Sequence, residues 1–428
     1  MKKRISILSG KVIRKIAKLR GGGSALPGLF VEKIDPNFVS ETLSQLPHGV
    51  VVISGTNGKT TTTKMVVELL EGQGLKVFTN KTGSNFVRGV AAALLENVDF
   101  YGKLSADIAV LELDEAHATH FVKNIQPRFS LILNVMRDQL DRFGEIDYTA
   151  SLLKKLGEAT SGVVVLNGDD RLLSTKEFSQ NFKAKVIKFS TSDNLVDFFP
   201  NDDELHETDT NSRKPNSQVD YMLEDFSNTS VKIKSQRVDN FKIQIGGIHN
   251  VLNLTAAIGL VYEILQSEDI KLNESNLKKT VAQIKPAFGR GETIRLGDQE
   301  VEIMLVKNPA GFRSNLKSAD LENAKIMIAI NDNYADGRDM SWLWDVDFSC
   351  LQKTGVAVLS GVRAYDMALR LIHDEVDFNE QKINPKVRLA IKNFLSEDGN
   401  KKKIFATYTA MLEIRKEISK LTDVEKVL

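Results

Sequence analysis

The sequence predicts an α/β protein: a doubly wound parallel sheet followed by a smaller α/β domain. Short apolar runs rich in β-branched residues recur at 50–53, 108–113, 131–135 and 163–166. Each gives way at once to polar or glycine-containing residues, and helical stretches lie between them. That alternation belongs to a parallel sheet covered by helices on both faces. At 428 residues the chain exceeds one compact core, and a second strand series at 301–306, 326–330, 356–359 and 403–406 supplies another. The expected divisions are a basic N-terminal segment, about 1–39, a first domain, about 40–296, and a second, about 297–428.

Composition narrows the class. With 57 basic and 56 acidic residues the net charge is +1, so no global field favours nucleic acid as a partner. A single cysteine, Cys350, excludes a disulfide framework and a thiolate-ligated metal site,, so no zinc site is expected. The sequence shows no uninterrupted apolar run of about 18 residues, and the expected location is cytoplasmic. Residues 1–20 mix Lys3, Arg4, Lys11, Arg14, Lys15, Lys18 and Arg20 with Ile5, Ile7, Leu8, Val12, Ile13, Ile16 and Leu19. The reading preferred is a helix packed on its own domain; the alternative is an amphipathic helix resting at an anionic inner membrane surface.

The stretch that organises the chain is the strand 50–53 followed by Gly55-Thr56-Asn57-Gly58-Lys59-Thr60-Thr61 and a helical stripe of Met65, Val66, Leu69 and Leu70. Strand, glycine turn and helix form a phosphate-binding context, in which backbone N–H groups converge on an anion at the helix N-terminus. Lys59 is placed to reach terminal phosphates, and Thr60 or Thr61 to ligate Mg²⁺. The motif is compact, because Ile53 stands where the common pattern has its first glycine.

Further strands end in polar turns. The strand 76–79 leads into the loop 80–85, which reads either as a plain turn or as a neighbour of the nucleotide. The strand 108–113 carries Glu112 and runs into Glu115, and one of these two carboxylates is expected to be metal-linked. Asn167 and Asp170 follow the strand 163–166 and are candidates for the base or ribose side. His249 and Asn250 open a helix after a glycine turn, where an imidazole suits stacking on a base or capping the helix. Residues 191–240 are rich in Asp, Glu, Ser and Asn, which reads as an acidic, partly disordered surface insertion.

These residues, with Asn134, Arg137-Asp138-Gln139-Leu140-Asp141, Asn253 and Phe288-Gly289-Arg290, occur in the order found in Mur ligases, the ATP-dependent amide-forming enzymes of peptidoglycan synthesis. The chain resembles that family over nearly its whole length. Within it the chain is most similar to MurT, the ligase-like subunits that amidate lipid II together with a GatD-type glutaminase. The stretches 331–345 and 406–411 carry that closer likeness. Lys307-Asn308-Pro309-Ala310-Gly311 carries it too, since it looks like the Mur linker strand but has Lys307-Asn308 where other ligases have an acid-containing approach to the ribose. Two departures stand out: Gln139 where many Mur ligases have histidine, and no cysteine in 191–240 where MurT proteins commonly carry a zinc ribbon.

The resemblance implies ATP and Mg²⁺ as cofactors, with Gly55 to Thr61, Asn167, Asp170, His249, Asn250, Asn253 and Arg290 binding the nucleotide. It implies that Lys59 and Glu112 serve catalysis and that Thr60, Glu112 or Glu115 holds the metal. It further implies an acyl phosphate on the D-isoglutamate carboxyl of lipid II, and ammonia supplied by the partner. An aspartate of this chain is then expected to complete the partner's catalytic triad: Asp339 first, Asp345 and Asp336 next. Two other readings stay open at this point, a stand-alone ligase adding an amino acid and a nucleotide-binding scaffold without catalysis.

Overall fold

The computed structural model describes residues 7–11, 13, 26–80, 87–136, 146–199, 219–236, 238–245, 247–285 and 290–422. The turn 81–85, the 137–141 motif, Phe288-Gly289 and the side chain of Arg290 lie outside the described residues.

The first sheet has nine strands: β1 (Val50–Ser54), β2 (Val77–Thr79), β3 (Ile108–Glu112), β4 (Phe129–Ile132), β5 (Val163–Asn167), β6 (Lys185–Thr191), β7 (Tyr221–Phe226), β8 (Ser230–Lys234) and β9 (Val238–Lys242). Their order is β2-β3-β1-β4-β5-β6-β7-β8-β9. The ladder is parallel as far as β7 and antiparallel from β7 to β9. The continuous apolar runs are explained by burial on both faces. Val51, Ile53, Val110, Leu131 and Val165 point into one core, whereas Val50, Val52, Ala109, Leu111, Ile132, Val164 and Leu166 point into the other. Successive residues of a pleated strand face opposite ways, so a strand between two cores needs apolar residues at every position.

The helix after β1, α1 (Lys59–Gly72), buries Met65, Val66, Leu69 and Leu70 completely, as its stripe predicts. Three more helices bear on the site: α2 (Glu115–Phe121), α3 (Ile248–Ser267) and α4 (Pro309–Ser318). At 20 residues α3 is long and apolar enough to cross a membrane. Here it is the first domain's core helix, with Leu254, Ala257, Ile258 and Val261 fully buried. Of the N-terminal stretch, Ile7 packs with Val31, Phe38 and Leu95 in the core, so the first domain's core extends into the segment 1–39.

The second domain is a six-stranded sheet: β10 (Arg290–Leu296), β11 (Gln299–Leu305), β12 (Lys325–Ala329), β13 (Val358–Ser360), β14 (Ile383–Asn384) and β15 (Lys401–Ala406), in the order β10-β11-β15-β12-β13-β14. Helices α5 (Ala364–His373) and α6 (Tyr408–Ile418) flank it.

Three expectations are corrected. The boundary at 296/297 falls inside a hairpin, since β10 pairs antiparallel with β11 and Leu296 faces Gln299 across the turn at Gly297, whose φ is +58°. The pair Gly297-Asp298 is a two-residue hairpin turn,. The acidic stretch 191–240 is also more than a disordered insertion, because its described part from 221 onward builds β7, β8 and most of β9. Tyr221, Leu223, Val231, Ile233 and Phe241 are buried while intervening residues face water, so a half-buried alternation was hidden beneath a polar composition. Finally, Lys307-Asn308-Pro309 opens α4 instead of forming a linker strand: Asn308 is the N-cap, its side chain accepting from Gly311 N–H, with Pro309 in the first turn,.

Candidate active site

The strand order places β1 between β3 and β4, and after β1 the chain runs first to the β2–β3 side and then crosses to β4. In such sheets ligands lie beyond the strand C-termini at the point where the order reverses. The turn 55–58 sits there. Gly55 and Gly58 have φ of +129° and +88°, a region that side chains avoid. A Cβ on Gly58 would stand 2.8 Å from Asn253 Nδ2, and Asn253 is buried. Replacing Gly58 with Ala is expected to cost about 1–3 kcal/mol of stability through backbone strain and to weaken nucleotide binding more than tenfold (about 1.4 kcal/mol). Thermal melts and titration with a non-hydrolysable ATP analogue check both.

The end of β4 holds the turn in shape. Thr56 N–H donates to Asn134 O (3.0 Å), Asn57 N–H donates to Asn134 Oδ1 (2.8 Å), and Asn134 Nδ2 donates to Asn57 O (3.1 Å). The first N–H groups of α1 have no acceptor within the helix, and the helix dipole favours an anion there. Lys59 is buried beside them; its Nζ donates to Gly55 O and to Thr56 O and lies 3.6 Å from Glu115 Oε2.

The two candidate carboxylates divide. Thr60 Oγ1 donates to Glu112 Oε1 (2.9 Å), and the end of β3 is fixed by Asn80, which bonds both the N–H and the C=O of Glu112. Glu115, first residue of α2 and nearly fully buried, faces Lys59 instead. Burial pushes its carboxyl above the ordinary range, opposed by the charge of Lys59 and, more weakly, Lys307. Magnesium takes hard oxygen donors and is commonly held by one or two protein groups with substrate phosphates. The Thr60 hydroxyl beside the Glu112 carboxylate fits that donor set; Glu115, paired with a lysine, fits it less well. Thr61 is buried with its Oγ1 unbonded.

The remaining nucleotide candidates are more structural than expected. Asn167 Nδ2 donates to Leu133 O and its Oδ1 accepts from Asp169 N–H. Asp170 accepts from Val135, Leu172 and Leu173 N–H. Both therefore brace the ends of β4 and β5. His249 packs edge-on against Phe199 at 5.6 Å; burial, with a contribution from the Lys317 charge, holds its pKa down to about 4, so the ring is neutral at physiological pH. Asn250 begins α3 beside Gly247.

In the second domain the three aspartates have different surroundings. Asp336 is buried, accepts from Thr409 N–H and Oγ1 and from Asn333 N–H, and burial raises its pKa. It ties the 331–336 turn to the start of α6, which removes it from the candidates for an exposed role. Asp339 is half-buried and accepts from Ser341 N–H (2.9 Å). Asp345 is exposed, and its backbone carbonyl accepts from Arg313. Of the two tryptophans, Trp342 is core and Trp344 is half-exposed, stacked edge-on to His373 and 5.4 Å from Arg370. Among the described residues no three His, Cys, Asp or Glu side chains gather as a metal cluster.

Sequence reasoning missed Asn80, Asn134 and Asn308 as positioning residues. Asn134 at a strand end and Asn308 before a proline carried legible signals, a polar strand terminus and an N-cap.

A phosphate loop at this switch point, a threonine-carboxylate pair beside it and a second α/β domain define a Mur-type ATP-dependent ligase. The family model of the Mur ligase middle domain matches residues 53–261, and that of the MurT ligase C-terminal domain matches 305–411. The lipid II isoglutaminyl synthase (glutamine-hydrolyzing) subunit MurT of Streptococcus pneumoniae is 30% identical, the match covering 100% of this chain and 99% of that one. The subunit MurT of Staphylococcus aureus (strain COL) is 29% identical over 88% of this chain and 89% of its own. The chain belongs to the MurT family of Mur ligases. Its fold is shared by MurF from Acinetobacter baumannii (TM-score 0.68, 16% identity, 91% of this chain and 81% of that one). MurF ligase from Thermotoga maritima in complex with ADP has a TM-score of 0.66 at 16% identity, covering 92% and 84%.

Proposed function

We propose that this chain amidates the α-carboxyl of D-isoglutamate in the lipid II stem peptide, giving D-isoglutamine, with ATP as activator and ammonia from a GatD-like glutaminase subunit. The observation that carries this reading is the end-to-end similarity to a subunit named lipid II isoglutaminyl synthase (glutamine-hydrolyzing). A carboxylate oxygen is a poor leaving group, so the carboxylate first attacks the γ-phosphorus; the bond from that phosphorus to the bridging oxygen breaks and ADP leaves. Ammonia then attacks the acyl carbon, the phosphate departs, and the nitrogen loses a proton. The chain's part is positioning and charge: the α1 N–H groups hold phosphate oxygens and Lys59 neutralises charge that moves during transfer. Thr60 and Glu112 would hold Mg²⁺, which supplies further charge neutralisation on the phosphates.

The glutaminase reading draws support from the second domain's surface. Tyr365, Leu369 and Ile372 lie along one side of α5 and are each more than half exposed, and Trp344 packs on His373 at the end of the same helix. An uncovered apolar face of this kind marks a protein contact. A lipid-linked substrate together with a need for ATP supports a reaction at the cytoplasmic face of the membrane.

The test is incubation of the co-expressed complex with lipid II, ATP and amide-labelled [¹⁵N]glutamine, followed by mass spectrometry. The expected product is lipid II carrying one ¹⁵N amide, with ADP formed in step. Incorporation of an intact amino acid would instead favour the stand-alone ligase, and no lipid II-dependent ATP consumption would leave only a scaffold.

A further inference from the structure

Among the described residues, Asn308 of the second domain hydrogen-bonds the tip of the nucleotide loop. Asn308 is 1% exposed and its amide is oriented without ambiguity: Oδ1 accepts from Gly311 N–H (2.8 Å) as the cap of α4, which turns Nδ2 toward Asn57 Oδ1 (3.1 Å). Asn57 Nδ2 faces back to Asn308 Oδ1 at 3.4 Å. The two side chains form a reciprocal amide pair between the tip of the phosphate loop and the first turn of a helix in the other domain. Asn57's backbone is meanwhile fixed on both sides by Asn134. The neighbouring Lys307 is close enough for its charge to act on Glu115, the partner of Lys59.

We propose that Asn308 is a positioning residue for the nucleotide: its pairing with Asn57 seats the second domain on the phosphate loop, so that loop geometry and the placement of Lys307 are set together. It touches no reacting atom and acts through Asn57. A part-buried amide pair suits this task, since leaving the buried Asn308 amide without its partner is costly while the matched pair is stable,. The consequence is energetic coupling. Breaking the pair from either side should have the same effect, and breaking it from both sides should add little.

The test uses the full chain, Mg²⁺ and a non-hydrolysable ATP analogue. Asn308→Ser keeps a side-chain oxygen to cap α4 but lacks the reach to Asn57; Asn57→Ala removes the other half. Each single variant is expected to bind the analogue about tenfold more weakly, and the double variant no more weakly than the weaker single. Hydrogen exchange separates positioning from a structural role. In the parent the analogue should protect 309–318 as well as 59–62; in Asn308→Ser, protection of 59–62 should remain and that of 309–318 should be lost, while exchange of 309–318 without nucleotide stays as in the parent. Effects that multiply in the double variant, parent-like affinity in Asn308→Ser, or faster exchange of 309–318 without nucleotide would each overturn the proposal. None of these readouts involves lipid II or glutamine, so a failed amidation assay bears only on the proposed function.

Discussion

Lys59→Ala is expected to lower ATP-dependent turnover by about a hundredfold to a thousandfold while the chain still folds. The magnitude follows from removing a preorganised positive charge from a site where charge moves in the transition state. In the structure the ammonium lies against the loop carbonyls of Gly55 and Thr56 and beside Glu115, so the variant also strips a buried carboxylate of its opposing charge. Glu115 is already held above its ordinary value of 4.5 by burial, and Lys59 is the largest influence in the other direction. Losing Lys59 raises Glu115 further. A carboxyl raised in the folded state binds protons more tightly folded than unfolded, so its contribution to stability falls as pH climbs from the unfolded value through the folded one. The melting deficit of the variant should therefore be larger at about pH 8 than at about pH 5. Turnover by ADP release and melts at both pH values check the two halves. Parent-like turnover would remove the phosphate loop from the mechanism.

Asp339→Asn is expected to cut glutamine hydrolysis by the complex on the order of a thousandfold, with ATP binding unchanged. An aspartate that orients a catalytic histidine matters through charge and tautomer, which the isosteric amide does not reproduce. The surroundings make this a clean substitution. Among the described residues the Asp339 side chain bonds Ser341 N–H as a cap, and asparagine caps equally well, whereas Asp336 cannot be changed without loosening α6 through Thr409. Glutamine hydrolysis, and amidation driven by added ammonia, should be assayed with Asp339→Asn and Asp345→Asn. If Asp339→Asn hydrolyses glutamine normally and Asp345→Asn does not, the role passes to Asp345. If ammonia-driven amidation fails equally, the aspartate belongs to the ligase reaction and not to the partner's triad.

The sequence by itself determined the doubly wound first sheet, because strands buried on both faces are forced into unbroken apolar runs such as 50–53 and 163–166,. It also determined the phosphate loop, where two glycines at left-handed φ followed by lysine and threonine leave little other chemistry,. Periodicity carried less where one face is wet: β7 to β9 were masked by the polar residues of their solvent side, and the domain boundary expected at 296/297 fell inside the hairpin of β10 with β11. What only tertiary structure decided is which side chains meet. Glu112 and Glu115 are three positions apart and chemically alike, yet the end of β3 aims one at Thr60 and the first turn of α2 aims the other at Lys59. Asp336 and Asp339 share one short turn, yet only the former is drawn into α6. The Asn57–Asn308 pair joins residues 251 positions apart. Pairings of that kind depend on how two sheets and their helices are seated against one another, and sequence spacing holds no trace of them.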